Sequence, residues 1–163
     1  SISNERTFHQ DTTDIAKLSG ILAAMAENLA FQLRRAGKLT GTVTVKIRYA
    51  DFQTQTLQQQ IPYTSADHEL LPLVQALFSR LYVRRVLVRL IGVRFSALVG
   101  GAHQLQLFDQ DCAYPALYKA LDRIRERYGD RAILRAAGLE ARSIGHYNPF
   151  DGEPPILLAN RSI

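Results

Sequence analysis

The sequence predicts an α+β fold: a four-stranded sheet in the order βαββαβ with two helices on one face, then a C-terminal helical extension and an irregular tail. Three observations predict it. An apolar stripe at helical spacing runs between Asp14 and Gly37. A hairpin of period two follows over residues 42–61. A second helical stripe then leads into the β-rich run Val86–Phe95. Strand and helix in that order give an antiparallel or mixed sheet of the ferredoxin-like, split-βαβ kind, with one face left open.

Each element has its own warrant. Ile2–Phe8 has the residue mix of a short strand, and Asp11-Thr12-Thr13-Asp14 is a run of helix-capping residues. Ile15, Leu18, Leu22, Met25, Leu29 and Leu33 recur every three or four residues. They draw one apolar stripe on a helix of about six turns. Gly37 stops it, and Arg34, Arg35 and Lys38 read as surface charge complementing the negative end of the helix dipole.

In the hairpin, Val43, Val45, Ile47 and Tyr49 alternate with Thr42, Thr44, Lys46 and Arg48. One face is therefore buried and the other polar. Ala50-Asp51-Phe52 makes the connection, and residues 53–61 form the second strand with Thr54, Thr56, Gln58 and Gln60 on one face. Ser65 and Asp67 can cap the second helix, whose buried side is Leu70, Leu71, Val74, Leu77, Phe78 and Leu81. Pro72 is tolerated only in a first turn, so the helix is expected to start after Asp67 or to bend. Val86–Phe95 reads as a central strand.

Gly100-Gly101 is the expected exit from a first unit, residues 1–100, into a second segment, residues 101–163. In that segment Asp109–Tyr114 reads as a loop. Pro115–Tyr128 reads as a helix with Leu117, Leu121, Ile124 and Tyr128 on one side. Gly129 ends it, and Asp130 can cap a short helix, Arg131–Ala137, stopped by Gly138. Residues 139–163 hold Gly145, Asn148-Pro149, Gly152 and Pro154-Pro155 without a period, and read as loop or disorder with Ile156–Leu158 packing back.

Composition limits function. At 163 residues with 47% hydrophobic content, the chain suits one domain plus an appended segment. It holds no apolar run long enough to span a membrane, and its N-terminal stretch is polar, unlike a signal peptide. A lone Cys112 favours a reducing, cytoplasmic setting, and four scattered His suggest no metal site. The start at Ser1 hints at an excised or processed piece. Net charge is +5, and residues 1–100 hold 12 Lys+Arg against 7 Asp+Glu, whereas residues 101–163 hold 8 against 8. A polyanion partner is thus expected on the first unit.

No catalytic constellation is visible: no Ser/His/Asp order, Cys/His pair, phosphate-cradling Gly loop or paired carboxylates at a strand end. His9, His68, His103 and His146 read as surface or capping residues. The open sheet face, with Lys46, Arg48 and its Thr and Gln rows, is the functional candidate. Cations there can pair with phosphate oxygens while hydroxyls and amides add neutral bonds. Its shortage of aromatics argues against base stacking. Arg89 and Arg94 are five apart and fall on opposite faces unless a bulge at Gly92 breaks the alternation.

At Ile91-Gly92-Val93-Arg94-Phe95-Ser96, preceded by Val88-Arg89, the chain resembles the last strand of the little-finger domain of Y-family translesion DNA polymerases, of the bacterial DNA polymerase IV kind. Ser3–Phe8, Thr42–Thr56 and Ala120–Gly129 agree in order and spacing, and the resemblance covers residues 1 to about 140. It implies a module that lays its sheet in the major groove of primer–template duplex DNA. It implies DNA contacts at Ser3, Arg6, Lys46, Arg48, Thr54, Thr56, Arg89 and Arg94. Family members often carry two adjacent arginines before the Ile-Gly pair, and here the second is Leu90. Gln104-Leu105-Gln106-Leu107-Phe108 resembles the QLxLF peptide that docks bacterial polymerases on the sliding clamp. The catalytic palm is missing, so the resemblance implies a monomeric chain that is inactive alone and needs no cofactor, Mg²⁺ belonging to the parent polymerase. The competing expectation is an RNA-binding or protein-interaction module of ferredoxin-like fold.

Overall fold

The computed structural model describes residues 1–84, 86–101, 113–129, 132–133 and 135–136. Within them the elements are β1 (Ile2–Thr12), α1 (Ile15–Arg35), β2 (Lys38–Tyr49), β3 (Thr54–Thr64), α2 (Asp67–Leu81), β4 (Val88–Gly100) and α3 (Ala113–Tyr128). The clamp-peptide residues 104–108 and the tail 139–163 lie outside the described residues; of the expected helix 131–137, residues 132–133 and 135–136 are described, and they form bends and a 3-10 position rather than an α-helix.

One antiparallel sheet carries the strand order β1-β4-β2-β3. The split βαβ character is present twice: β4 separates β1 from β2, and β2 separates β3 from β4. Val43, Val45, Ile47 and Tyr49 of β2 are fully buried, as are Val88, Ile91 and Phe95 of β4. They meet Leu18, Leu22, Met25, Leu29 and Leu33 of α1 and Leu70, Val74, Leu77 and Phe78 of α2 in one core. Central strands are apolar on the helix side because both their neighbours are strands and α1 and α2 cover that face.

Several boundaries differ from expectation for identifiable reasons. β1 runs on to Thr12, so only Asp14 caps α1, accepting a hydrogen bond from the Lys17 N–H at 3.1 Å. Ile15 opens the helix at its rim and is exposed. Gly37 ends the helix as expected, with a left-handed φ of 60° and its N–H donating to the Arg34 carbonyl. α2 begins at Asp67 with Pro72 inside it. That proline sits in the second turn, where its ring removes a single i→i−4 bond. β4 continues to Gly100 because its end pairs with the start of β2, Lys38 opposite Gly100.

Arg34 is not the surface charge expected of it. Its Nη1 donates to Asp67 Oδ1 at 2.7 Å and to the Ser65 carbonyl at 2.9 Å, and its Nε and Nη2 grip both oxygens of Asp122 on α3. Burial pulls its pKa down, but these carboxylate bonds outweigh burial and hold it above the ordinary value. Arg34 thereby fastens α3 to the helix layer. The packed side of α3 is Tyr118 and Arg125, with Tyr114, Leu121 and Asp122 half-buried, while Leu117, Ile124 and Tyr128 are exposed. The side chosen from apolar spacing therefore gives way to one chosen by polar partners.

Candidate nucleic-acid interface

Residues paired across an antiparallel sheet share a face. The register therefore writes out the open face as three rows. In the middle row Thr56, Lys46, Gly92 and Glu5 lie side by side across β3, β2, β4 and β1. Toward one end come Gln58, Thr44, Arg94 and Ser3. Toward the other come Thr54, Arg48, Leu90 and Thr7. Beyond the Arg94 row come exposed Gln60 and half-buried Ser96, with Thr42 buried between them. The alternation of β2 and β3 produces this face directly: apolar residues are committed to the core, so every second residue is polar and turned outward.

The geometry gathers most of the expected residues. Ser3, Thr54, Thr56 and Arg94 are exposed on this face, and Lys46 and Arg48 are half-exposed on it. Arg94 donates from Nη2 to Ser1 Oγ at 3.0 Å. Arg48 donates from Nε to Thr54 Oγ1 at 2.9 Å, which steadies its guanidinium over the edge of the sheet.

Arg6 departs from the group. It pairs with Ile91, which is fully buried toward the helices, so Arg6 lies on the helix side of β1 with its guanidinium 5.8 Å from the Phe8 ring centre. The reason is parity: Ser3 and Arg6 are an odd number of residues apart on one regular strand.

Arg89 is reached by a bulge, but not at Gly92. Gly92 keeps regular register with both Lys46 and Glu5. The shift comes where Arg48 faces Leu90 and Tyr49 faces Val88, leaving Arg89 as the extra residue. Its guanidinium lies over the ring of Phe52 at 4.7 Å. Phe52 is exposed at the β2–β3 tip with a left-handed φ of 63°, a conformation that is strained for a bulky side chain.

One feature of the face escapes a sequence reading. Glu5 is the only acid that the strand register places in these rows. Its carboxylate holds Lys46 Nζ at 3.0 and 3.1 Å. Phe52, by contrast, is an aromatic that the sequence already displays in the hairpin connection, and it is exposed there. Among the described residues, no group of three or more His, Cys, Asp or Glu could hold a metal ion, and no helix is long and apolar enough to cross a membrane.

Comparisons with known proteins agree with this architecture. Residues 1–107 match the impB/mucB/samB family C-terminal domain. A DNA polymerase IV of Clostridium acetobutylicum is 36% identical over 143 residues, covering 85% of this chain and 36% of the relative. A DNA polymerase IV of Methanoculleus marisnigri is 39% identical over 110 residues, covering 68% of this chain and 31% of the relative. The chain thus spans about a third of the length of these relatives. Among solved structures, a complex of beta-clamp processivity factor and the little finger domain of PolIV shares the fold with a TM-score of 0.50 at 19% identity, covering 66% of this chain and 97% of that one. A Y-family DNA polymerase chimera, Dbh-Dpo4(243-245)-Dbh, does so with a TM-score of 0.53 at 17% identity, covering 61% of this chain and 28% of that one. The chain belongs to the impB/mucB/samB family, with residues 1–107 as its C-terminal domain, the little-finger fold of the Y-family, DNA polymerase IV-like polymerases.

Proposed function

We propose that this chain is the duplex-holding and clamp-docking part of a translesion DNA polymerase, non-catalytic by itself. The observation that carries the reading is the open sheet face, whose rows combine Arg94 with Ser3 at one end and Arg48 with Thr54 at the other. These are phosphate-pairing and hydroxyl groups on a rigid strand scaffold, suited to a DNA backbone read without sequence. Ser3, Arg48, Thr54, Thr56 and Arg94 are the proposed backbone contacts, with Arg89 beside them; Lys46, tied to Glu5, is not among them. The three rows contain no Phe, Tyr or Trp, which favours duplex over the stacked single strands of an RNA module.

Residues 104–108 are the proposed docking peptide, with Leu107 and Phe108 as pocket anchors. The solved relative that carries a beta-clamp supports this by fold likeness. The chain is proposed to work as a cytoplasmic monomer without a cofactor of its own, Mg²⁺ belonging to the catalytic part of the parent polymerase.

A salt titration of primer–template binding, with and without sliding clamp, tests both halves. Duplex binding is expected to weaken with log salt by a slope of roughly 0.9 per phosphate contacted, with little base preference. Phe108→Ala is expected to abolish clamp binding and leave DNA binding intact. Preference for single-stranded RNA over duplex overturns the first half, and unchanged clamp affinity overturns the second.

A further inference from the structure

We propose that Glu5 withholds Lys46 from phosphate, so that the face grips a duplex through two separate cationic ends around an electrically neutral middle. This rests on the duplex-holding reading above and adds to it a residue that sets which cations engage.

Glu5 and Lys46 are not on neighbouring strands. Glu5 is on β1 and Lys46 on β2, and β4 runs between them. They meet because the β4 residue in their row is Gly92, paired with both. A Cβ at Gly92 would stand 2.7 Å from Glu5 Cγ and 3.2 Å from the Asn4 carbonyl oxygen. The missing side chain is the channel through which the carboxylate crosses to the ammonium, and both its oxygens arrive, at 3.0 and 3.1 Å.

Stability does not account for the arrangement. The two side chains are 42% and 27% exposed, and surface pairs of this kind contribute little to folding. Its consequence is electrostatic. One acid cancels one base in the middle row, while no acid stands in the Arg94 or Arg48 rows.

The spacing fits the proposed partner. Thr44, which faces Arg94, and Arg48 are four residues apart on β2, or roughly 13 Å at about 3.3 Å per residue. The B-DNA major groove is about 12 Å wide. The two end cations can therefore attend phosphates on opposite walls of a groove. The middle row then lies between the two walls, and there the ion pair keeps the Lys46 ammonium from reaching out to a phosphate of either wall.

The test is a cycle of salt titrations on primer–template duplex. In the otherwise unsubstituted chain, Lys46→Gln is expected to leave the slope of log affinity against log salt unchanged, whereas Arg48→Gln and Arg94→Gln each reduce it by about 0.9. Glu5→Gln is expected to raise affinity and steepen the slope by about 0.9, and adding Lys46→Gln to it removes that gain. Both positions are part-exposed, so matched melting curves are expected throughout the set. If Lys46→Gln alone flattens the slope as much as Arg94→Gln, or if Glu5→Gln changes nothing, the inference is overturned while the duplex reading stands. If the unsubstituted chain does not bind duplex, the duplex reading itself fails and takes this one with it.

Discussion

Arg34 closes on Asp122 through two parallel bonds, Nε to Oδ2 at 2.6 Å and Nη2 to Oδ1 at 2.9 Å, across 88 residues of sequence. With Asp67 on its remaining side, this guanidinium joins the end of α1, the start of α2 and the middle of α3. Planar, bidentate pairing is what an arginine does better than a lysine. The Tyr118 ring lies 4.8 Å from the same guanidinium and closes the site.

Removing Arg34 should therefore be costly. Arg34→Ala leaves Asp67, 2% exposed, without its counter-ion, and is expected to lose about 3–5 kcal/mol in urea unfolding. Asp122→Asn weakens one side only and should cost roughly 1.5–3 kcal/mol at most. Equal losses in the two variants would mean that Asp67 does not depend on Arg34.

Tyr118 replaces a missing cap. The N-cap residue of α2 is Ala66, which has no side chain able to bond the first turn. Tyr118 Oη accepts the His68 backbone N–H at 3.0 Å and can donate its own proton to His68 Nδ1 at 2.7 Å. Tyr118→Phe keeps the ring and removes both bonds, so a loss of about 1–2 kcal/mol is expected by denaturant unfolding. An unchanged midpoint would show that water serves the N–H equally well.

Gly92→Ala probes the crossing of Glu5 over β4. The added methyl collides with Glu5 Cγ and presses on the Asn4 carbonyl, with an expected cost of about 1–3 kcal/mol. In a Glu5→Ala background the cost should fall, because the flexible part of the clash is gone. A cost that does not change would place the obstacle at the Asn4 backbone, and a double-mutant cycle separates the two.

Glu27 gives a pH signature. It is 5% exposed on α1, and burial raises its carboxyl above the ordinary 4.5, with Arg135 and Arg125 opposing in part. Above that ordinary value the folded state still holds a proton that the unfolded chain has released. Stability from this group is thus complete at low pH and lost as pH rises through the raised value. Glu27→Gln should accordingly gain on the unsubstituted protein as pH climbs from about 4 to about 7. A gap that narrows with pH instead would mean that the pair with Arg135 dominates.

Sequence periodicity served well wherever one partner sufficed. The β2 alternation names its buried residues one by one, because in a strand the choice between core and water is made every second residue. It also foretold the polar rows of the open face. It named the core stripe of α1 correctly but missed the second side of that helix, which α3 meets. Glu27, Phe31 and Arg34 form a second buried side of α1, met by Arg135, Arg125 and Asp122. Charged residues at such spacing look like a solvated surface until a third helix covers them. An apolar stripe alone picked the wrong side of α3 for the same reason.

The sequence by itself determined the order of elements, the core side of β2 and the polar character of the open face, since these follow from local spacing and the preference of apolar groups for burial. Only the tertiary structure decided how strands distant in sequence align. That alignment sets Glu5, Gly92 and Lys46 in one row, turns Arg6 away, moves the bulge to Arg89 and joins Arg34 to Asp122. Register and helix docking depend on contacts between segments far apart in the chain, and no local pattern encodes which residue will face which.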